Sequence, residues 1–168
     1  MKRIHQMTVA QWEAAFPDAD ACKVYLQGNR WPDGVACPRC GNVIVSVHTT
    51  PFTWQCRECL ADGYRFSILV GTIFENTNID LRKWFRVIHL MLTGKKGMSA
   101  MQVYRFMEFG SYKTASSMCH RIRAGLADKD FRQLMGIVEV DETFVGGKVK
   151  NRHKDRRGDG SRGSRRQG

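Results

Sequence analysis

Two cysteine pairs limit the possible folds of this chain more than any other feature. Cys37-Pro38-Arg39-Cys40 and Cys56-Arg57-Glu58-Cys59 are C-x2-C pairs with fifteen residues between them. Two intervening residues close a tight knuckle from which both thiolates of a pair point at one tetrahedral ion, and the chain between the pairs suffices for a hairpin. Four thiolates complete the shell of a Zn²⁺ ion and leave no position for a substrate, so the predicted metal is structural. The module has few apolar residues to bury, and metal binding would supply the missing folding free energy. Four reduced structural cysteines are the plainer alternative. Cys22 and Cys119 each sit among apolar neighbours on a predicted helix and read as core filler rather than as ligands or nucleophiles.

The cellular setting favours ligands over disulfides. No apolar run approaches the ~18 residues of a membrane span. The N-terminus "MKRIHQMTVAQW" lacks the apolar core and cleavage site of a secretory signal. A cytosolic chain with no membrane partner is expected, and there paired cysteines hold metal.

An α+β organisation follows from the periodicity. In residues 1–34, Thr8 is positioned to cap a helix with Trp12, Ala15 and Phe16 inward. Pro17 interrupts, and Asp18 or Asp20 starts a second helix carrying Cys22, Tyr25 and Leu26. Residues 35–68 change to the strand-like pieces "NVIVSVH", "FTWQC" and "GYRFSIL", the small β zinc ribbon. Helical spacing returns over 78–135. Asn78 or Asp80 caps a helix striped by Leu81, Trp84, Phe85, Ile88 and Leu92 and ended by Gly94. A shorter helix runs from Ser99 to Gly110. A third, "SYKTASSMCHRIRAGLAD", turns Ala115, Met118, Ile122 and Leu126 inward and Lys113, His120, Arg121 and Arg123 outward.

Charge points to a polyanion. With 27 Lys and Arg against 16 Asp and Glu, the net charge is +11, which favours nucleic acid by steering and counterion release. Residues 94–126 have the layout of a helix-turn-helix, whose second helix would enter the major groove and read base edges from its N-terminal residues. Ser111, Tyr112, Lys113, Thr114, Ser116 and Ser117 would be exposed there, with Arg121 and Arg123 on phosphates. A plain helical bundle with a solvated basic face accounts for the same residues.

"GIVEVDETFVGGKVK", Gly136 to Lys150, reads as a strand opening a new region, 136–168. Alternation puts Glu139, Asp141 and Thr143 on one face. Carboxylates in a strand are costly to desolvate unless paired. An Asp at a strand edge is one way to hold Mg²⁺ for phosphoryl transfer, and an edge strand or a salt bridge explains it equally well. The residues after it are basic: 148–168 hold nine Lys or Arg and two Asp, so seven of the eleven net positive charges lie there.

"CPRCG", "WQCRECLADGYRFSILVGTIFENTNIDLRKWF", "GKKGMSAMQVYRFM", "KTASSMCHRIRAGL" and "VEVDETFVGGKVKNRHKD", in this order, resemble the zinc-ribbon-bearing DDE-type transposases of bacterial insertion sequences. The likeness runs from about Phe16 to Asp155. It implies a ribbon and a helical DNA-binding region ahead of a ribonuclease-H-like catalytic domain that uses Mg²⁺. Asp141 matches the first metal-binding Asp of that family, within "VDET". The implied partners are transposon-end and target DNA, in a homo-oligomer at the bacterial nucleoid. The family's later acidic ligands have no counterpart before Gly168, so a truncated copy, inactive alone, is expected. Two other readings are a non-catalytic ribbon and helix-turn-helix regulator of DNA, and a ribbon that recruits a protein partner.

Overall fold

In the computed structural model of the chain, residues 3–59, 61, 63–94 and 97–137 are described. Each of the first helices begins where a side-chain oxygen takes up an orphan backbone N–H. Thr8 and Gln11 form a reciprocal capping box at 3.3 and 3.2 Å that opens α1, Val9–Ala15. Asp18 accepts from the Ala21 N–H at 2.8 Å and opens α2, Ala19–Arg30. Asp80, rather than Asn78, caps α3, Leu81–Thr93. Ser99 and Gln102 repeat the capping box before α4, Ala100–Phe106, and Ser111 caps α5, Tyr112–Ala127.

Two boundaries differ from expectation. Helix α4 stops at Phe106, not near Gly110. Glu108 takes up the left-handed turn at φ 50°, and the Phe109 N–H donates to the Tyr104 carbonyl at 3.3 Å. A sixth helix, α6 (Lys129–Leu134), follows α5 directly. Six residues are too few to show a helical period, and only Asp128 signals it, since this residue ends α5 and caps α6.

Between α2 and α3 lies the predicted β module. Strands β1 (Val45–Val47), β2 (Thr53–Cys56) and β3 (Arg65–Ser67) form one antiparallel sheet in the order β1-β2-β3. Val45 faces Cys56 and Trp54 faces Phe66 across the ladders. Trp31, just past α2, sets its ring edge-on against Trp54 at 5.4 Å and near Phe66 at 6.1 Å. Its neighbour Arg30 donates to the Ile68 carbonyl at 2.7 Å. These contacts fasten sheet to helix.

The helices close on an aromatic core. Phe16 meets Tyr25 at 5.3 Å and Phe85 at 5.1 Å, both edge-on, the offset geometry that aromatic quadrupoles favour. Phe74 is fully buried and touches Trp84, Phe85 and Phe131. It comes from the segment between β3 and α3, which carries no helical or strand period. The far end of the core is tied by Tyr25 Oη donating to the Met135 carbonyl and Asn29 Nδ2 to that of Leu134, each at 3.0 Å. Gly136 follows at φ 64°, and a Cβ there would stand 2.8 Å from Tyr25 Oη. Only glycine fits both constraints. Among the described residues no helix is long and apolar enough to cross a membrane.

Candidate metal centre and nucleic-acid interface

The first cysteine knuckle is built by its own backbone. Cys37 N–H donates to the Asn42 carbonyl at 2.9 Å, and Gly41 N–H donates back to the Cys37 carbonyl at 2.8 Å. The second hangs from the end of β2, where the Arg57 N–H donates to the Ile44 carbonyl at 3.3 Å. Hairpin closure therefore brings two remote pairs together. The four Sγ atoms of Cys37, Cys40, Cys56 and Cys59 lie within 4.8 Å of one another, Cys40 and Cys56 at 3.5 Å. A tetrahedron with Zn–S bonds of about 2.3 Å has edges near 3.8 Å, so this donor set fits zinc. All six cysteines are free thiols, and the 3.5 Å between the Cys40 and Cys56 sulfurs is far beyond the ~2.05 Å of a disulfide.

Electrostatics of the cluster favour metal uptake. The Cys59 backbone N–H pulls the Cys56 thiol down to about 7. Burial, together with its cysteine neighbours, pushes Cys59 up to about 12. Four sulfurs this close cannot all ionise without a cation between them, and Zn²⁺ would turn that repulsion into attraction. Cys37 and Cys56 are buried while Cys40 is exposed, so the centre sits near the surface with an entry path. Zinc here would hold the two knuckles and the hairpin between them. Cys22 and Cys119 behave differently: both are buried in helices, and burial pushes Cys22 up to about 12 and Cys119 upward. Both fill the helical core.

On α5 the predicted contact residues do not form one free face. Lys113 is exposed and Thr114 half-buried. Arg121 was expected to project outward. Instead it is half-buried, its guanidinium 5.3 Å from the Trp84 ring and its Nη2 donating to the Glu75 carbonyl at 3.1 Å. Trp84 draws it in, because an Arg stem and plane cover an aromatic face well. Arg123 is exposed but lies on another side, where its Nη2 donates to the Met98 carbonyl at 3.0 Å. Lys113, Thr114 and Arg121 share a groove of about 390 Å³ with the loop at residues 76–79, which periodicity did not single out. Asp141, Glu139, Glu142 and the basic tail lie outside the described residues.

Comparison with known proteins adds what geometry does not carry. Residues 17–61 match the transposase zinc-ribbon domain of the IS1595 type. That span runs from α2 to just beyond Cys59 and includes all four cysteines and Trp31. Over 129 residues the chain is 31% identical to an uncharacterized protein in transposable element ISH50 of Halobacterium salinarum. The aligned part covers 75% of this chain and 42% of that protein, so the chain spans less than half of its relative's length. No solved structure matches. Together these matches support a transposase-related protein with a structural zinc ribbon.

Proposed function

We propose that this chain serves an insertion-sequence transposase by binding transposon-end DNA. The observation that carries the reading is the transposase-ribbon match over residues 17–61, with its four thiols drawn together at zinc-binding separation. The capped pair α4 and α5, joined by a short turn, then acts as a helix-turn-helix with α5 in the major groove. Thr114 lies near the helix N-terminus, where base edges are read, and Lys113 beside it faces the DNA backbone. Arg123 meets phosphate from the flank. Arg121 supports the groove wall from beneath.

The catalytic step belongs to the whole protein. By its resemblance, Asp141 would be the first Mg²⁺ ligand of a DDE-type, ribonuclease-H-like site. Mg²⁺ bound there would activate water or a DNA 3′-hydroxyl for in-line attack on a phosphodiester. The working form would be a homo-oligomer that holds element ends and target together.

Fluorescence anisotropy tests the binding claim, with the zinc-loaded chain titrated against a duplex carrying the end of its own element and against a mixed-sequence duplex. The expected result is a tighter complex with the element end and a steep loss of affinity as salt rises. Equal, weak binding to both duplexes would overturn it. For the chemistry, Asp141→Asn in the full-length transposase should abolish Mg²⁺-dependent strand transfer and leave end binding intact.

A further inference from the structure

The groove beside α5 has a second wall that neither the ribbon nor the helix accounts for. The loop from Phe74 to Asp80 is fixed at alternate points. Phe74 is sunk in the core. Glu75 accepts from the Gly71 N–H through its carboxylate at 2.9 Å and from Arg121 through its carbonyl. Thr77 Oγ1 accepts from Trp84 Nε1 at 3.0 Å and from the Ile79 N–H at 3.2 Å. Asp80 caps α3. Between these anchors, Asn76 and Asn78 are exposed, and among the described residues neither side chain has a hydrogen-bond partner. Asn76 holds φ 53°, a conformation that asparagine tolerates better than most residues. The loop is thus rigid, yet it presents two unspent amides.

Opposite them stand Lys113 and Ser117 on α5, both exposed. Among the described residues no carboxylate lines this groove. The larger groove of about 580 Å³ near α6 shows the contrast, for there Arg30 is accompanied by Asp128 and Asp130. Amide and hydroxyl donors with one free ammonium and no acid suit an anion that approaches from solvent. The partner whose charge complements a chain of net +11 is the DNA backbone. Residues 114, 117 and 121 are spaced three and four apart, so that stripe of α5 faces the loop with Lys113 at its edge, while positions 116 and 120 turn away from it. A helix seated in the major groove has the phosphates of one strand on its flank.

We infer that Asn76 and Asn78, with Lys113 and Ser117, form a clamp for DNA backbone phosphate that sets the register of α5. The clamp rests on the DNA-binding reading above and adds a contact element outside the helical pair. Phosphate contacts carry no sequence information, so the clamp affects all duplexes alike.

The test uses the zinc-loaded chain and two fluorescent duplexes, one of mixed sequence and one carrying the element end, over a range of salt. Asn76→Gly with Asn78→Ala removes both amides, and glycine keeps the left-handed turn without strain. The expected loss is about tenfold on both duplexes, with the salt slope unchanged because no charge is lost. Lys113→Ala should lower that slope by about one. Unchanged affinity in a double variant that melts like the parent would overturn the clamp while leaving end binding in place. A loss confined to the element end would also overturn it, because the amides would then be reading bases. If the parent binds neither duplex, the DNA-binding reading falls and the clamp with it. Should the double variant melt early, Ser117→Ala on the opposite wall decides, with about a threefold loss expected on both duplexes.

Discussion

The ribbon and the helical core answer the same entropic demand by opposite means. Among the described residues within 35–68, the buried apolar side chains besides Cys37 and Cys56 are Trp54, Phe66 and Ile68. Val43, Ile44 and Val47 remain 71%, 58% and 79% exposed. So little burial cannot offset the ordering of the chain, at about 1–2 kcal/mol per residue for backbone alone. Four converging thiols can, once a metal joins them. Around α1 to α6 the balance reverses. Trp12, Phe16, Phe74, Trp84, Phe85 and Phe131 are all buried, and apolar area alone carries that region. A region with a small core thus depends on an ion, whereas one with a large aromatic core depends on shape.

This contrast is most severely tested by removing the metal. Cys37→Ser, or a strong chelator, should abolish zinc content and melt the ribbon, since structural zinc sites are worth about 10–16 kcal/mol in peptide systems. Far-ultraviolet circular dichroism should keep most of its helical signal, while near-ultraviolet intensity from Trp54 collapses. Simultaneous loss of all helix would mean that the Trp31 contact makes the two regions one cooperative unit.

The reciprocal cut falls on the core. Phe74→Ala should destabilise the helices by about 3–5 kcal/mol, the usual result for a buried Phe. Zinc stoichiometry, read by elemental analysis of the same sample, should hold at one. Zinc lost along with the helices would break the comparison from the other side.

Closer fit is probed at Gly125. A Cβ there would lie 2.9 Å from Phe131 Cδ1 and 3.1 Å from Ile73 Cγ2. Gly125→Ala should therefore cost about 1–3 kcal/mol by overpacking where α5 meets α6, lowering the melting temperature despite the better helix propensity of Ala. A rise in melting temperature would show that Phe131 yields easily.

The smallest effect concerns pH. Burial and neighbouring cysteines hold Cys59 up at about 12, so it is a thiol at neutral pH without metal. Zinc displaces that proton, and affinity should rise with pH by about tenfold per unit for each proton released. Competition with a chromogenic chelator between about pH 6 and 8 reads the slope. A pH-independent affinity would mean that the sulfurs are already ionised in the free protein.

Much of this was legible before any fold was known, and for a common reason. The C-x2-C spacing, the caps at Thr8, Asp18 and Ser99, and the stripe of Leu81, Trp84, Phe85 and Ile88 each depend on residues within one or two turns. Short-range geometry fixes such features, so a sequence read locally reveals them. The same holds for the three strand pieces, whose pairing follows once the cysteines demand a hairpin.

Other features were hidden because their partners are distant in the chain. Nothing near Phe74 says that it will fill a space between Trp84 and Phe131. Arg121 looks outward by periodicity, yet Trp84 and the Glu75 carbonyl, 37 and 46 residues away in sequence, draw it in. The end of α4 moved because Glu108, not Gly110, took the left-handed turn. Sequence alone determined that this chain has a metal-binding ribbon, a set of capped helices and an excess of positive charge. Only the tertiary structure decided which cations stay free, and that two asparagines between fixed points of a loop share a groove with Lys113. Burial and hydrogen bonding are settled by whichever groups folding brings together, and their separation along the chain does not foretell it.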